Sequence, residues 1–258
     1  MSMFWIHLKK EMLEAARSYK WIWVPAVFLL LGVMQPVMMY YLPDILMMSG
    51  DIPPEAAALI KVPLPEEILA STLSQFSTIG LLVLVLSAMN TVAGERSNGT
   101  TELVLPRMSS VLPMMIAKWA AMMSLLILSF VLGYAGSAYY TSQLIGTLEW
   151  GPMLGAGAFY IAWLAWIVTL VLPLGAMLRG PAAAFIALGS AAALTMLASL
   201  LPSHLLWSPG RLSAIATQWL TGGDPSAWAP AVTAVCLMAL STVAATLLLK
   251  RRPLSPQA

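Results

Sequence analysis

The chain has 258 residues, 60% of them hydrophobic and only 9% charged, with a formal net charge of +2 and a mean hydropathy of +0.84. One core cannot absorb that much apolar surface, and the apolar residues fall in runs close to bilayer length, so the composition excludes a soluble enzyme or nucleic-acid-binding domain and points to an all-α polytopic membrane protein. The single cysteine, Cys236, excludes an intrachain disulfide and a thiolate metal site.

Residues 1–20 lack the pattern of a cleaved signal peptide, because charges are scattered through them and no small-residue cleavage site follows. On a helical wheel Phe4, Trp5, Leu8, Met12, Ala15, Ala16 and Tyr19 share one face. His7, Lys10, Glu11, Glu14, Arg17 and Ser18 fall opposite. That periodicity predicts an amphipathic helix lying in the membrane interface, with lipid as its partner. Residues 21–258 then read as one transmembrane domain of six spans, at about 21–41, 71–93, 114–140, 154–178, 182–201 and 229–249. A span of about 20 residues rises roughly 30 Å, enough to cross the hydrocarbon core.

The connections carry their own signals. Residues 43–70 form a proline-spaced acidic loop, with a short helix expected around Glu55 to Ile60. The first half of the second span is polar (Ser71, Thr72, Ser74, Gln75, Ser77, Thr78), and Gln35 and Asn90 lie near span ends. Polar groups in a span turn toward the bundle interior or a watery cavity, so these residues either line a pathway or hydrogen-bond to neighbours. Pro173 predicts a kink in the fourth span, and Arg179-Gly180-Pro181 a tight turn into the fifth. The fifth span is rich in Ala, Gly and Ser, which permits close helix approach. Residues 202–228, with Trp207, Trp219 and Trp228, are too apolar for an ordinary loop and predict short interfacial or re-entrant helices.

The most structured connection is the segment 94–118, and the stretch Glu95 to Trp119 reads ERSNGTTELVLPRMSSVLPMMIAKW. Asn98-Gly99 is a turn dipeptide, Thr100 or Thr101 can cap a short helix, and Glu102 sits in its first turn, where a carboxylate favours the helix dipole. Pro106 ends that helix, and Ser110 can cap the next with Pro113 in its first turn. Eleven Lys and Arg (Lys9, Lys10, Arg17, Lys20, Arg96, Arg107, Lys118, Arg179, Lys250, Arg251, Arg252) fall on the side of this segment and both termini. Only Lys61 and Arg211 fall opposite. The positive-inside rule therefore predicts cytoplasmic termini and a cytoplasmic segment 94–118.

Several chemistries are excluded or demoted. No GxxxxGK[ST] loop is present, so the chain has no phosphate cradle of that type, and no HExxH is present for a zinc protease. The two histidines, His7 and His204, are assigned to opposite faces. No Lys, Arg, Asp or Glu sits in the middle of a span, as one commonly does in an ion-coupled carrier. No catalytic residue, metal ligand or cofactor site is expected in this chain.

Glu95-Arg96, Gly99-Thr100, Glu102, Leu103, Leu105, Ser110 and Lys118 resemble, in this order, the cytoplasmic signature of ABC-2 type transporter permeases. The amphipathic N-terminal helix, six spans and aromatic loop before the last extend the likeness along the chain. It departs at Met108, where the family often has proline, at Val111, where a basic residue is common, and at Ala117, where Gly usually precedes the lysine. The resemblance implies the permease subunit of an ATP-driven exporter in the bacterial plasma (inner) membrane. It further implies a second permease chain, identical or sister, and two copies of a separate cytoplasmic P-loop ATPase that would hold ATP and Mg. The short helix after Gly99 would be the coupling helix, in a segment whose ATPase-coupling residues are Glu95, Arg96, Gly99, Thr100, Glu102, Leu103, Leu105 and Arg107, and Gln35, Gln75 and Asn90 would be enlisted along the pathway. A non-transporting immunity, sensory or scaffold subunit that docks an ATPase, and an ion-coupled carrier, are the alternatives.

Overall fold

The computed structural model describes residues 3–49, 63–97, 110–223 and 225–251. Within them the chain is helical: α1 (Met3–Arg17), α2 (Lys20–Ser49), α3 (Pro65–Gln75), a π-helical turn (Phe76–Gly80), α4 (Leu81–Ala88), α5 (Asn90–Ser97), α6 (Leu112–Leu144), α7 (Trp150–Met177), α8 (Gly180–Leu200), a 3-10 turn (Pro209–Arg211), α9 (Leu212–Leu220) and α10 (Trp228–Arg251). Six of these units are long and apolar enough to cross a membrane, the second being the run Pro65–Ser97. The protein is an all-helical, six-span membrane protein, and no strand occurs among the described residues.

Local sequence explains where helices start. Pro65, Pro113 and Pro181 sit in first turns, where a missing N–H costs nothing. The Glu67 carboxylate accepts from the Leu64 N–H at 3.1 Å, half of a capping box. Tyr19, in the left-handed region at φ 54°, makes the sharp turn from α1 into α2.

The α2 and α6 helices form the closest pair. Their backbones almost touch, because a Cβ on Gly32 would fall 2.0 Å from the Gly133 carbonyl oxygen, and one on Gly133 would fall 2.5 Å from that of Phe28. Only glycine permits this approach. Around it lies an aromatic cluster from four spans. Phe28 meets Phe76 at 4.9 Å between ring centroids, Phe76 meets Phe130 at 5.8 Å, and Phe130 stacks on Tyr134 and Tyr160 at 5.2 and 5.5 Å. Offset and edge-on rings of this kind add to the gain from burial. The α7 helix is central, packing against α5, α6, α8, α9 and α10.

The polar half of the second span is largely committed to its neighbours. Thr72 bonds Ser137 at 2.8 Å. At the π-helical turn, Tyr160 donates to the Leu73 carbonyl at 2.7 Å and its hydroxyl also pairs with Ser77 at 2.8 Å. A π turn disrupts the regular ladder, and here a buried tyrosine takes up a carbonyl beside it. Ser74 and Thr78 instead face outward from the chain.

The inward residues of α1 are the buried Glu11 and the half-buried Phe4, His7, Leu8, Met12 and Ala15, while Trp5, Ile6 and Leu13 are exposed. A carboxylate can take an inward position because a buried cation awaits it. The region 202–228 contains the 3-10 turn and α9, which buries Leu212, Ile215, Ala216 and Leu220 mainly on α7 and α3. The short helix expected at Glu55–Ile60 lies outside the described residues.

Candidate functional site

The residues with the most unusual chemistry gather at the end of the bundle where α1 crosses the base of the second and third spans. Glu95 and Arg96 are adjacent near the end of α5, so their side chains leave the helix about 100° apart. Each turns to a different part of the bundle.

Glu95 turns to α1 and α6. It accepts from Lys118 at 2.9 Å and from Lys10. Lys118 in turn meets Glu11 at 2.7 Å, and Lys10 lies 3.6 Å from the same Glu11 carboxylate. The four groups form a closed ring of alternating sign: Lys10, Glu95, Lys118, Glu11 and back to Lys10. The third hydrogen of Lys118 goes to the Thr91 carbonyl at 2.9 Å, so the ammonium's three donors each have an acceptor. Such matching is needed, because the Lys118 side chain is only 1% exposed and an unpaired ion there would carry a desolvation penalty of several kcal/mol. The ring grades from dry to wet, since the Lys10 side chain is 47% exposed.

Arg96 turns to α7. Its Nη1 donates to the Gly175 and Leu178 carbonyls at 3.1 and 3.3 Å. Carbonyls at a helix C-terminus lack helical partners and carry the negative end of the dipole, so a guanidinium suits them. Lys20 donates to the Ser87 carbonyl at 2.8 Å, just before the break at Met89 between α4 and α5. A small cavity of about 40 Å³ lies beside the ring, lined by Glu14, Lys20, Ser87, Thr91 and Lys118 on its polar side. It has room for about three water molecules.

The local field acts on groups outside the membrane. Burial comes first in lowering the His7 imidazole below its ordinary value, and Lys10 and Lys118 lower it further. For Lys10 burial opposes the charge, but the hydrogen bond and negative charge of Glu95 outweigh it and raise the ammonium. Carboxylate oxygens of Glu11, Glu14 and Glu95 lie within 4.8 Å of one another. Two of those three carboxylates already have ammonium partners, so the cluster is matched internally.

Of the residues singled out by sequence, Glu95 and Arg96 are brought into this site and Lys118 completes it. Gly99, Thr100, Glu102, Leu103, Leu105 and Arg107 lie outside the described residues. Gln35 is buried in α2, and Gln75 is half-buried with its Oε1 unpartnered. Asn90 is exposed, with its Oδ1 only 2.4 Å from where a Cβ on Gly180 would stand, so it lies against the turn from α7 into α8. Gln75 and Asn90 are fifteen residues apart on one span, a rise of about 22 Å, and do not act together. Lys10 and Glu11 were missed as partners, because the helical wheel placed both on the polar face. The available signal was Lys118 itself, a cation a full turn inside an apolar span, which demands a buried anion.

No family model matches the chain. It is 31% identical over 238 residues to a Bacillus subtilis (strain 168) protein described as uncharacterized transmembrane protein YxlG, a match covering 91% of this chain and 92% of that one. At that identity and coverage the chain belongs to the same family as this Bacillus transmembrane protein.

Proposed function

We propose that the protein is the permease subunit of an ATP-driven ABC-2 type exporter, sited in the plasma membrane with both termini in the cytoplasm. The reading rests on the run from Glu95 to Lys118 and on one observation above all: the Glu95–Arg96 pair at the head of that run is anchored on both sides. Glu95 engages α1 and α6, and Arg96 engages the end of α7. A segment so tied turns a push from a cytoplasmic partner into a rigid-body movement of the spans. The chain has no phosphate-binding loop of its own. Hydrolysis therefore belongs to a separate P-loop ATPase, two copies of which serve a pair of permease chains, and ATP and Mg reside there. Residues 98–109 form the docking segment, with Glu102 and Arg107 setting register by charge.

The test is co-purification of a candidate P-loop ATPase from the same cell with wild-type protein and with Glu102→Lys. If Glu102 meets a donor-rich groove, reversal costs several kcal/mol at the interface. Even about 2.8 kcal/mol would lower affinity roughly a hundredfold. Ser110→Lys, adding a charge just beyond the docking segment, is the comparison. Equal ATPase recovery from all three, or ATP hydrolysis by the purified chain alone, refutes the assignment. Reconstituted vesicles in which the docked ATPase drives no movement of any solute would identify a non-transporting subunit instead.

A further inference from the structure

We propose that α1 is a transmitting element of the coupling apparatus, locked to the base of the second and third spans by the ring Lys10–Glu95–Lys118–Glu11, with Lys118 as its positioning residue. The inference rests on the permease reading for what drives the motion, but the mechanical claim is a property of this chain alone.

The geometry sets three conditions that an incidental surface ion pair would not meet. First, the ring is closed, so each group touches two of opposite sign and none can leave without taking one of two partners from each neighbour. Second, its four members come from three separate elements: α1 supplies Lys10 and Glu11, α5 supplies Glu95 and α6 supplies Lys118. Third, its inner corner is dry, so the attraction there is weakly screened and the geometry is held tightly. Elsewhere α1 is held by the half-buried Phe4, His7, Leu8, Met12 and Ala15, while Trp5, Ile6, Leu13 and Arg17 face away from the bundle, so the ring is its one fully buried attachment. Because Glu95 stands three residues before the docking segment begins, displacement of that segment reaches α1 through the ring. The Arg96 bonds to α7 carry the same displacement toward the fourth span.

A closed ring also predicts a pattern of rescue that a single ion pair does not. Exchanging Glu95 and Lys118 alone brings like charges together, ammonium with ammonium at positions 10 and 95 and carboxylate with carboxylate at 11 and 118. Only reversal of all four restores the alternation.

The experiment places nitroxide labels at Leu13→Cys and Ser97→Cys in a Cys236→Ser background, with the full chain in lipid nanodiscs. Distances are read by pulsed electron resonance. Wild type should give one narrow distance, unchanged when the ATPase and a non-hydrolysable ATP analogue are added. Lys118→Met should at least double the width of the distribution and speed amide exchange across residues 3–17 at least tenfold. Glu95→Lys with Lys118→Glu should be as broad, and adding Lys10→Glu and Glu11→Lys should restore the narrow distance. An unchanged distribution in Lys118→Met, or rescue by the two-residue exchange alone, overturns the ring as the lock. If Lys118→Met does not fold, the two-residue and four-residue reversals decide. If no ATPase associates with wild type, the permease reading fails while the distances in the chain alone still decide the inference.

Discussion

The contact between α2 and α6 sets how close the first and third spans stand, and so where α1 meets Lys118. Adding one methyl at Gly32 or Gly133 tests it. The Cβ of Gly133→Ala would start 2.5 Å from the Phe28 carbonyl oxygen, and that of Gly32→Ala 2.0 Å from the Gly133 oxygen. A relaxed carbon–oxygen contact needs roughly 3.3 Å, so the helices must separate by about 0.8 and 1.3 Å respectively. A gap of about 0.5–1 Å forfeits a quarter to a half of each dispersion contact it opens. The Phe28–Phe76 and Phe76–Phe130 contacts lie beside the seam. Overpacking of this kind costs about 1–3 kcal/mol, and alanine's helix propensity returns at most about 1. The expected net losses are about 1 kcal/mol for Gly133→Ala and about 2 for Gly32→Ala. At about 2–4 °C per kcal/mol for a chain of this size, midpoints should fall by roughly 2–4 and 4–8 °C. The assay is thermal unfolding in detergent followed by tryptophan fluorescence. Gly189→Ala, with nothing within 4 Å of the new carbon, should be neutral or slightly stabilising. Midpoints for Gly32→Ala and Gly133→Ala equal to that of Gly189→Ala would refute the argument from close approach.

Tyr160→Phe removes the hydroxyl that meets the Leu73 carbonyl and Ser77 beside the π-helical turn; it should cost about 1–2 kcal/mol in the same assay, whereas Ser142→Ala, on an exposed hydroxyl, should cost almost nothing. His7 is held below its ordinary value, so the folded chain disfavours the imidazolium. Stability from α1 docking is complete above the unfolded value of about 6.5 and declines as pH falls below it. Amide protection across residues 3–17, corrected for the intrinsic pH dependence of exchange, should therefore weaken from pH 7.5 to 5.5 in wild type and stay flat in His7→Gln; a flat corrected wild-type profile would dismiss the effect. Ser226→Cys should react with an impermeant thiol reagent on intact cells, and Ser97→Cys only after lysis, both in a Cys236→Ser background. The reverse labelling would invert the assigned orientation.

The six spans were legible because each element carries its own signal: some twenty apolar residues bounded by proline, glycine or charge. Helix ends were less so. The second span starts at Pro65 rather than near Ser71, because Glu66 and Glu67 join the first turn of a helix that hydropathy alone begins later. The π-helical turn at Phe76–Gly80 had no sequence signal, and the tyrosine that takes up the Leu73 carbonyl beside it stands some eighty residues away. The ring had half a signal. Lys118 required a buried anion, but four carboxylates (Glu11, Glu14, Glu95 and Glu102) stood within plausible reach along the chain. Choosing among them depended on the path of α1, which its own periodicity does not specify. Amphipathic pattern records the average preference of a helix, and the rotation that sets Glu11 against Lys118 is not written in it.

That rotation bears on what the Glu95–Arg96 dipeptide does. A charged pair at the end of a membrane span reads most simply as solvated, or as reaching for a partner protein. Here both side chains are spent inside the chain, on α1 and α6 in one case and on α7 in the other. Because consecutive helical residues diverge by about 100°, a dipeptide of opposite charges at a helix end is the shortest device that can grip two neighbours at once. The anion takes the buried cation of the next span, and the cation takes the free carbonyls of a helix terminus. Neither role can be exchanged with the other, since a carboxylate at the Gly175 and Leu178 carbonyls would be repelled by the dipole that holds the guanidinium. Glu95→Arg with Arg96→Glu, which preserves composition and net charge, should therefore fail in both places. It should lower thermal stability by more than Glu95→Gln alone, and stability equal to wild type would show that only the charges, and not their directions, matter.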